Sequence, residues 1–196
     1  MQEIVPMQEI VPMQELTHSE CIYAPGDGAL VEELFRALGF TVIKVPGYPY
    51  IIAQVERDKQ DVMTNCIYAS ELTPVQQAFE KTLQEQLASS PEFRSAAEDW
   101  ENDFRNDPQR SVHFGFRYES REDFAAAIER VRNASGPGKP LEGRVLVTGV
   151  YFPGDPGSIT DTMAQGFIWT DILASGILTF GQHLEMQWHI KPQVLV

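Results

Sequence analysis

A chain of 196 residues with 43% hydrophobic and 22% charged side chains can bury a sizeable core, which excludes both a mini-protein and a globally disordered polymer. The formal net charge of -13 argues against nucleic acid and membrane surfaces as partners, and no Lys/Arg run offers a local exception. Cys21 and Cys66 are too few for a disulfide framework, and no apolar run reaches the roughly 18 residues of a membrane span, so the expectation is a cytoplasmic protein with two reduced core thiols.

Residues 1–16 repeat a short unit, Met1 to Pro6, Met7 to Pro12 and Met13 to Leu16. Six residues ending in proline cannot form a packing layer, so this tail reads as a tandem duplication with Met13 as a second start, or as a strand-like arm that docks on a partner. A first module follows over 17–70. Its strand, His18 to Ala24, runs into a helix on which Leu30, Val31, Leu34, Phe35 and Leu38 share one face, with Asp27 as N-cap and Gly39 just past the end. Strands are then expected at Phe40 to Val45, Tyr50 to Val55 and Asp61 to Ala69.

An insert over 71–110 carries two helix patterns. Thr73, Pro74 and Gln76 read as N-cap, first-turn proline and capping-box glutamine before an apolar stripe of Val75, Phe79, Leu83 and Leu87. Ser90 and Pro91 open the second helix, whose stripe is Phe93, Ala97, Trp100 and Phe104. This hairpin is expected to cover either a sheet of its own chain or the same site on a second protomer in a homodimer.

The second module, 111–196, repeats the order of the first. Ser111 to Tyr118 alternates as a half-buried strand, and Ser120 caps a helix with Asp123 at the reciprocal position. Phe124, Ala127, Ile128 and Val131 give that helix its buried stripe. Strands are expected at Arg144 to Tyr151, Gly166 to Asp171 and Gln182 to His189. Alternation puts His113, Gly115 and Arg117 on one face of the first strand, and His183, Glu185, Gln187 and His189 on one side of the last.

Two βαβββ units in tandem, the stretch Asp27 to Phe40 with its acidic cap and Leu38-Gly39-Phe40 end, and the closing Gly181 to Gln187 resemble the vicinal oxygen chelate superfamily, which includes glyoxalase I, bleomycin-resistance proteins and extradiol dioxygenases. The resemblance covers Thr17 to Ala69 and Ser111 to Val194 and leaves the insert as an embellishment. It implies an α+β fold in which the modules form a cup-shaped sheet, and one divalent metal held by residues on the first and last strands of each module. Carried over by position, the metal ligands are Glu20, His113 and Glu185, with Asn65 the weak candidate on the remaining strand. The glyoxalase pattern has two histidines and two carboxylates; this chain offers one histidine and two carboxylates.

Oxygen-rich ligands with one imidazole suit Mn²⁺ or Fe²⁺, which could act as a Lewis acid on a small molecule with adjacent oxygens. Arg117 is the candidate for neutralising an anionic substrate. Each residue has a plainer role open to it: a solvated strand face for Glu20, His113 and Glu185, an ion pair for Arg117, and strand ends near water for His18, His183 and His189. Phosphate-loop, nucleophile-elbow and H-E-x-x-H motifs are absent from the sequence. Three functions stay open: a metal-dependent enzyme, a metal-free protein that binds a small molecule in the same cup, and an interaction protein that works through the insert.

Overall fold

The computed structural model describes residues 16–56 and 62–190. Residues 1–15 of the repeat, the opening residue of the strand expected from Asp61, and the end of the match at Val194 lie outside them.

The architecture is α+β, built from two βαβββ modules with a helical hairpin between them. In the first, β1 (His18–Tyr23) leads to α1 (Gly28–Leu38), then β2 (Thr41–Lys44), β3 (Tyr50–Gln54) and β4 (Cys66–Glu71). The insert is α2 (Pro74–Ser89) and α3 (Pro91–Asn106), followed by one short 3-10 turn at Pro108–Arg110. The second module runs β5 (His113–Arg117), α4 (Arg121–Ala134), β6 (Val145–Tyr151), β7 (Met163–Thr170), β8 (Leu173–Ala174) and β9 (Gln182–His189).

The two modules share one topology. β1 lies parallel to β4, which is antiparallel to β3, which pairs β2; β5 lies parallel to β9, which is antiparallel to β7, which pairs β6. The difference is β8, a two-residue strand from the second module that pairs with β1 and extends the first sheet to five strands against four in the second. Neither sheet closes into a barrel, an arrangement compatible with an open cup.

One large apolar core joins the modules, with Phe35 and Leu38 of α1 and Phe124 and Ile128 of α4 all buried in it. The last carbonyls of a helix have no intrahelical donor. Here the Tyr118 hydroxyl donates to Leu38 O at 2.8 Å and Arg130 Nε to Ala37 O at 3.1 Å, so residues of the second module finish the helix of the first. Gly39, at φ 90°, turns the chain in the left-handed conformation expected of a C′ glycine.

Several local expectations shift. β4 begins at Cys66 rather than Asp61, and β7 spans Met163–Thr170 rather than Gly166 to Asp171. Asp27 stands at the N-cap of α1 without a side-chain cap bond. Its carboxylate instead accepts from Arg144 at 2.8 Å, and Arg144 Nε also reaches Asp171 at 2.6 Å, because an ion pair across the modules outcompetes a local cap. Ser120 caps α4 as expected, but the Asp123 carboxylate takes the Ser120 hydroxyl at 2.7 Å.

Candidate functional site

Helix α2 carries the full capping box read from Thr73 and Gln76, yet its apolar stripe does not face the core. Val75 and Phe79 are exposed, and the buried residue is Glu80. The reason is a 3-10 turn at Leu178–Phe180 whose backbone donors point at α2: Leu178 N and Thr179 N donate to the Glu80 carboxylate at 2.8 and 2.9 Å. Satisfying two backbone N–H groups with a charged acceptor favours this orientation over burying phenylalanine.

Helix α3 then lies over the polar face of the second sheet. Arg105 stacks 4.7 Å from the Trp169 ring, and Trp100 meets the edge of Phe180 at 4.9 Å. Just beyond α3, the Gln109 and Gln165 side-chain amides exchange two hydrogen bonds of 2.9 Å. The insert therefore covers the Trp169 and His183 end of the strand face that alternation had marked as polar, while Gly115 and Arg117 on that face stay exposed.

Next to the Gln109–Gln165 pair, His113 and Glu185 come together. Gly115 sits opposite Glu185 in the β5–β9 pairing, and a Cβ there would stand 3.0 Å from Glu185 Oε2, so glycine makes the room for the carboxylate. His113 Nε2 lies 3.4 Å from Glu185 Oε2, while its Nδ1 is 2.8 Å from Ser111 O. Both neighbours are acceptors, and only the doubly protonated ring can donate to both. The hydrogen bond to Glu185 accordingly raises the His113 pKa above its ordinary value, against the cost of burial. Burial opposes ionisation of Glu185, but His113, Gln165 Nε2 at 2.6 Å and Gln187 Nε2 at 2.7 Å outweigh it and hold the carboxyl below the usual range. His189 extends the chain through Gln187 at 2.9 Å.

The remaining implied ligand is elsewhere. Glu20 is exposed on β1 of the first sheet, and among the described residues no group of three or more His, Cys, Asp or Glu side chains stands together to hold a metal. Of the implied ligands the structure brings together only His113 and Glu185, whose carboxylate also accepts from the Gln165 and Gln187 amides, so the described residues do not assemble the ligand set that the resemblance implies. Arg117 is exposed on β5 and lines a groove of about 600 Å³ between the modules, together with Phe40, Phe116 and Arg130.

A second cavity, about 500 Å³, lies under α3. Phe93, Ala97, Trp100 and Phe104 of the insert form one wall, and Trp169, Phe180 and His183 form the other. Its rim is apolar and open to water, with Phe93, Trp100, Val112 and Ile177 all exposed. His183, expected near water at a strand end, is instead 4% exposed because α3 covers the start of β9. Burial and the neighbouring charges of His113 and Arg105 push its pKa down to about 4, so the ring is neutral, and its Nε2 has no hydrogen-bond partner. Sequence periodicity placed His183 on the right face but carried no signal for Gln109 and Gln165, whose roles depend on a contact 56 residues apart.

No family description matches the chain, and no curated protein matches it in sequence. Among solved structures it is similar to hypothetical protein SA1046 from S. aureus (11% identity, 90% of this chain and 95% of the other, TM-score 0.41). It is also similar to oxidase ChaP-H2 (15%, 91% and 95%, TM-score 0.42) and to protein PA1353 from Pseudomonas aeruginosa (11%, 90% and 98%, TM-score 0.40). Likenesses at this level add nothing to the reading of the site.

Proposed function

We propose that this chain is a small-molecule-binding protein of vicinal-oxygen-chelate-like build that works without a divalent metal and holds its ligand between the insert and the second sheet. The supporting observation is that His113 and Glu185 pair with each other and with Gln165 and Gln187, while α3 encloses an apolar slot over the neighbouring end of the same face. A cavity of this size, mostly apolar with one polar group at its end, suits a small ligand.

Titrating the purified protein with Mn²⁺, Fe²⁺ and Zn²⁺ by calorimetry tests the metal-free half of the reading. Binding no tighter than that of a His113→Ala, Glu185→Ala double variant is expected. One tightly held ion per chain, lost in that variant, would instead restore the metal-dependent enzyme, the reading favoured by the meeting of His113 and Glu185 on the first and last strands of one module.

A further inference from the structure

We infer that the slot under α3 takes a flat aromatic molecule bearing a single phenolic or enolic hydroxyl, seated with that hydroxyl against His183. This deepens the reading of the chain as a metal-independent binder and rests on it. Three observations converge. The slot is walled by the rings of Trp100, Phe104, Trp169 and Phe180, which reward a planar apolar body by area and by edge or offset ring contacts. His183 Nε2 is the one buried side-chain polar atom without a partner among the described residues, and its ring lines this slot. A buried polar atom left unpaired is costly, so a ligand that pairs with it gains what the empty protein lacks.

The hydroxyl is singled out by the same ring. Its χ2 torsion has two broad wells, so a half-turn can present either nitrogen, and a hydroxyl, being both donor and acceptor, matches either tautomer. The carboxylate lining the slot, Glu101, is already paired with Arg105 at 3.4 Å, so the lining offers no unpaired anion to an amine.

The test uses the full chain, treated with EDTA, and two probes that differ by one group: 2-naphthol and naphthalene. Nitrogen-resolved NMR should show saturable shifts from 2-naphthol confined to the slot, including the Trp169 indole N–H and the His183 ring nitrogens. Naphthalene should bind at least about tenfold more weakly, the loss expected for one hydrogen bond to a buried partner. His183→Phe should erase that difference. Trp100→Ala, at a half-exposed position, should weaken both probes and so tests the site even if His183→Phe does not fold. Equal affinity for the two probes overturns the hydroxyl pairing, and absence of slot shifts overturns the site. Binding that appears only on adding Mn²⁺ counts against the metal-free reading itself, so the two failures are distinct.

Discussion

The two modules have the same strand order and the same helix placement, but their equivalent polar faces meet different fates. In the first, Glu20 and His18 on β1 are exposed, with His18 stacked on Tyr68 at 5.0 Å. In the second, the matching position is His113, and its neighbours Glu185 and His183 are both buried, His183 facing the slot under α3 and Glu185 held by the Gln165 and Gln187 amides. Topology alone therefore does not decide whether a strand-face carboxylate is solvated or functional. What lies above it does, and here that is an insert foreign to the repeated unit.

The sharpest way to break this comparison is to remove the carboxylate on each side. Glu185→Ala leaves His113 and two amides without their shared acceptor, and we expect a loss of about 3 kcal/mol in urea denaturation, as for breaking a buried pair. Glu20→Ala, on the open face, should change stability by no more than about 0.5 kcal/mol. Similar values for the two variants would mean that the second carboxylate is no better shielded from water than the first.

A pH series sharpens the same contrast, and its effect is nearly as large. His183, with its folded pKa down at about 4, contributes stability that is present above its ordinary value of 6.5 and is lost as pH falls through the window between them. A shift of this size corresponds to about 3 kcal/mol. Glu185, also lowered, adds to the loss below its ordinary value of 4.5. His113 is raised, so its contribution is complete below 6.5 and fades as pH climbs past the folded pKa. Stability measured across pH should therefore form a dome, and His183→Leu should flatten its acid limb between pH 6.5 and 4.5.

Most of the fold was legible because it is local. The helices α1 and α4, the capping box of α2, and the serine caps of α3 and α4 all follow from residues within one turn of each other. What was not legible depends on distant partners. Nothing in Leu173–Ala174 marks a strand, since its two residues pair only with β1, about 150 positions away. The amphipathic pattern of α2 suggested burying Val75 and Phe79, but the free amides of Leu178 and Thr179 turned Glu80 inward. The candidate site divides the same way. Period-2 alternation put His113 and Glu185 on matching faces, and the β5–β9 pairing brought them together; that His183 would be buried required knowing where α3 comes down.

The insert itself can be loosened at its hinge with the sheet. Gln109→Ala removes both amide bonds to Gln165 while leaving α3 and its aromatic contacts intact, and should cost about 1 kcal/mol, with faster hydrogen exchange in α3 than in the strands below. An unchanged exchange pattern would assign the anchoring of the hairpin to Glu80 and the Arg105–Trp169 stack instead.

The smallest effect is expected on the outer side of the insert. Phe79 is 57% exposed, so Phe79→Ser should alter monomer stability by within about 0.5 kcal/mol. Its value lies in what else it reads. Val75, at 80% exposure, sits one helical turn away on the same face, forming an apolar strip that solvent does not favour. If the insert also joins two chains, sedimentation of the native protein will show a dimer that Phe79→Ser dissociates. If the native chain sediments as a monomer, the hairpin serves its own second module alone, and the contrast between the two sheets is complete within one chain.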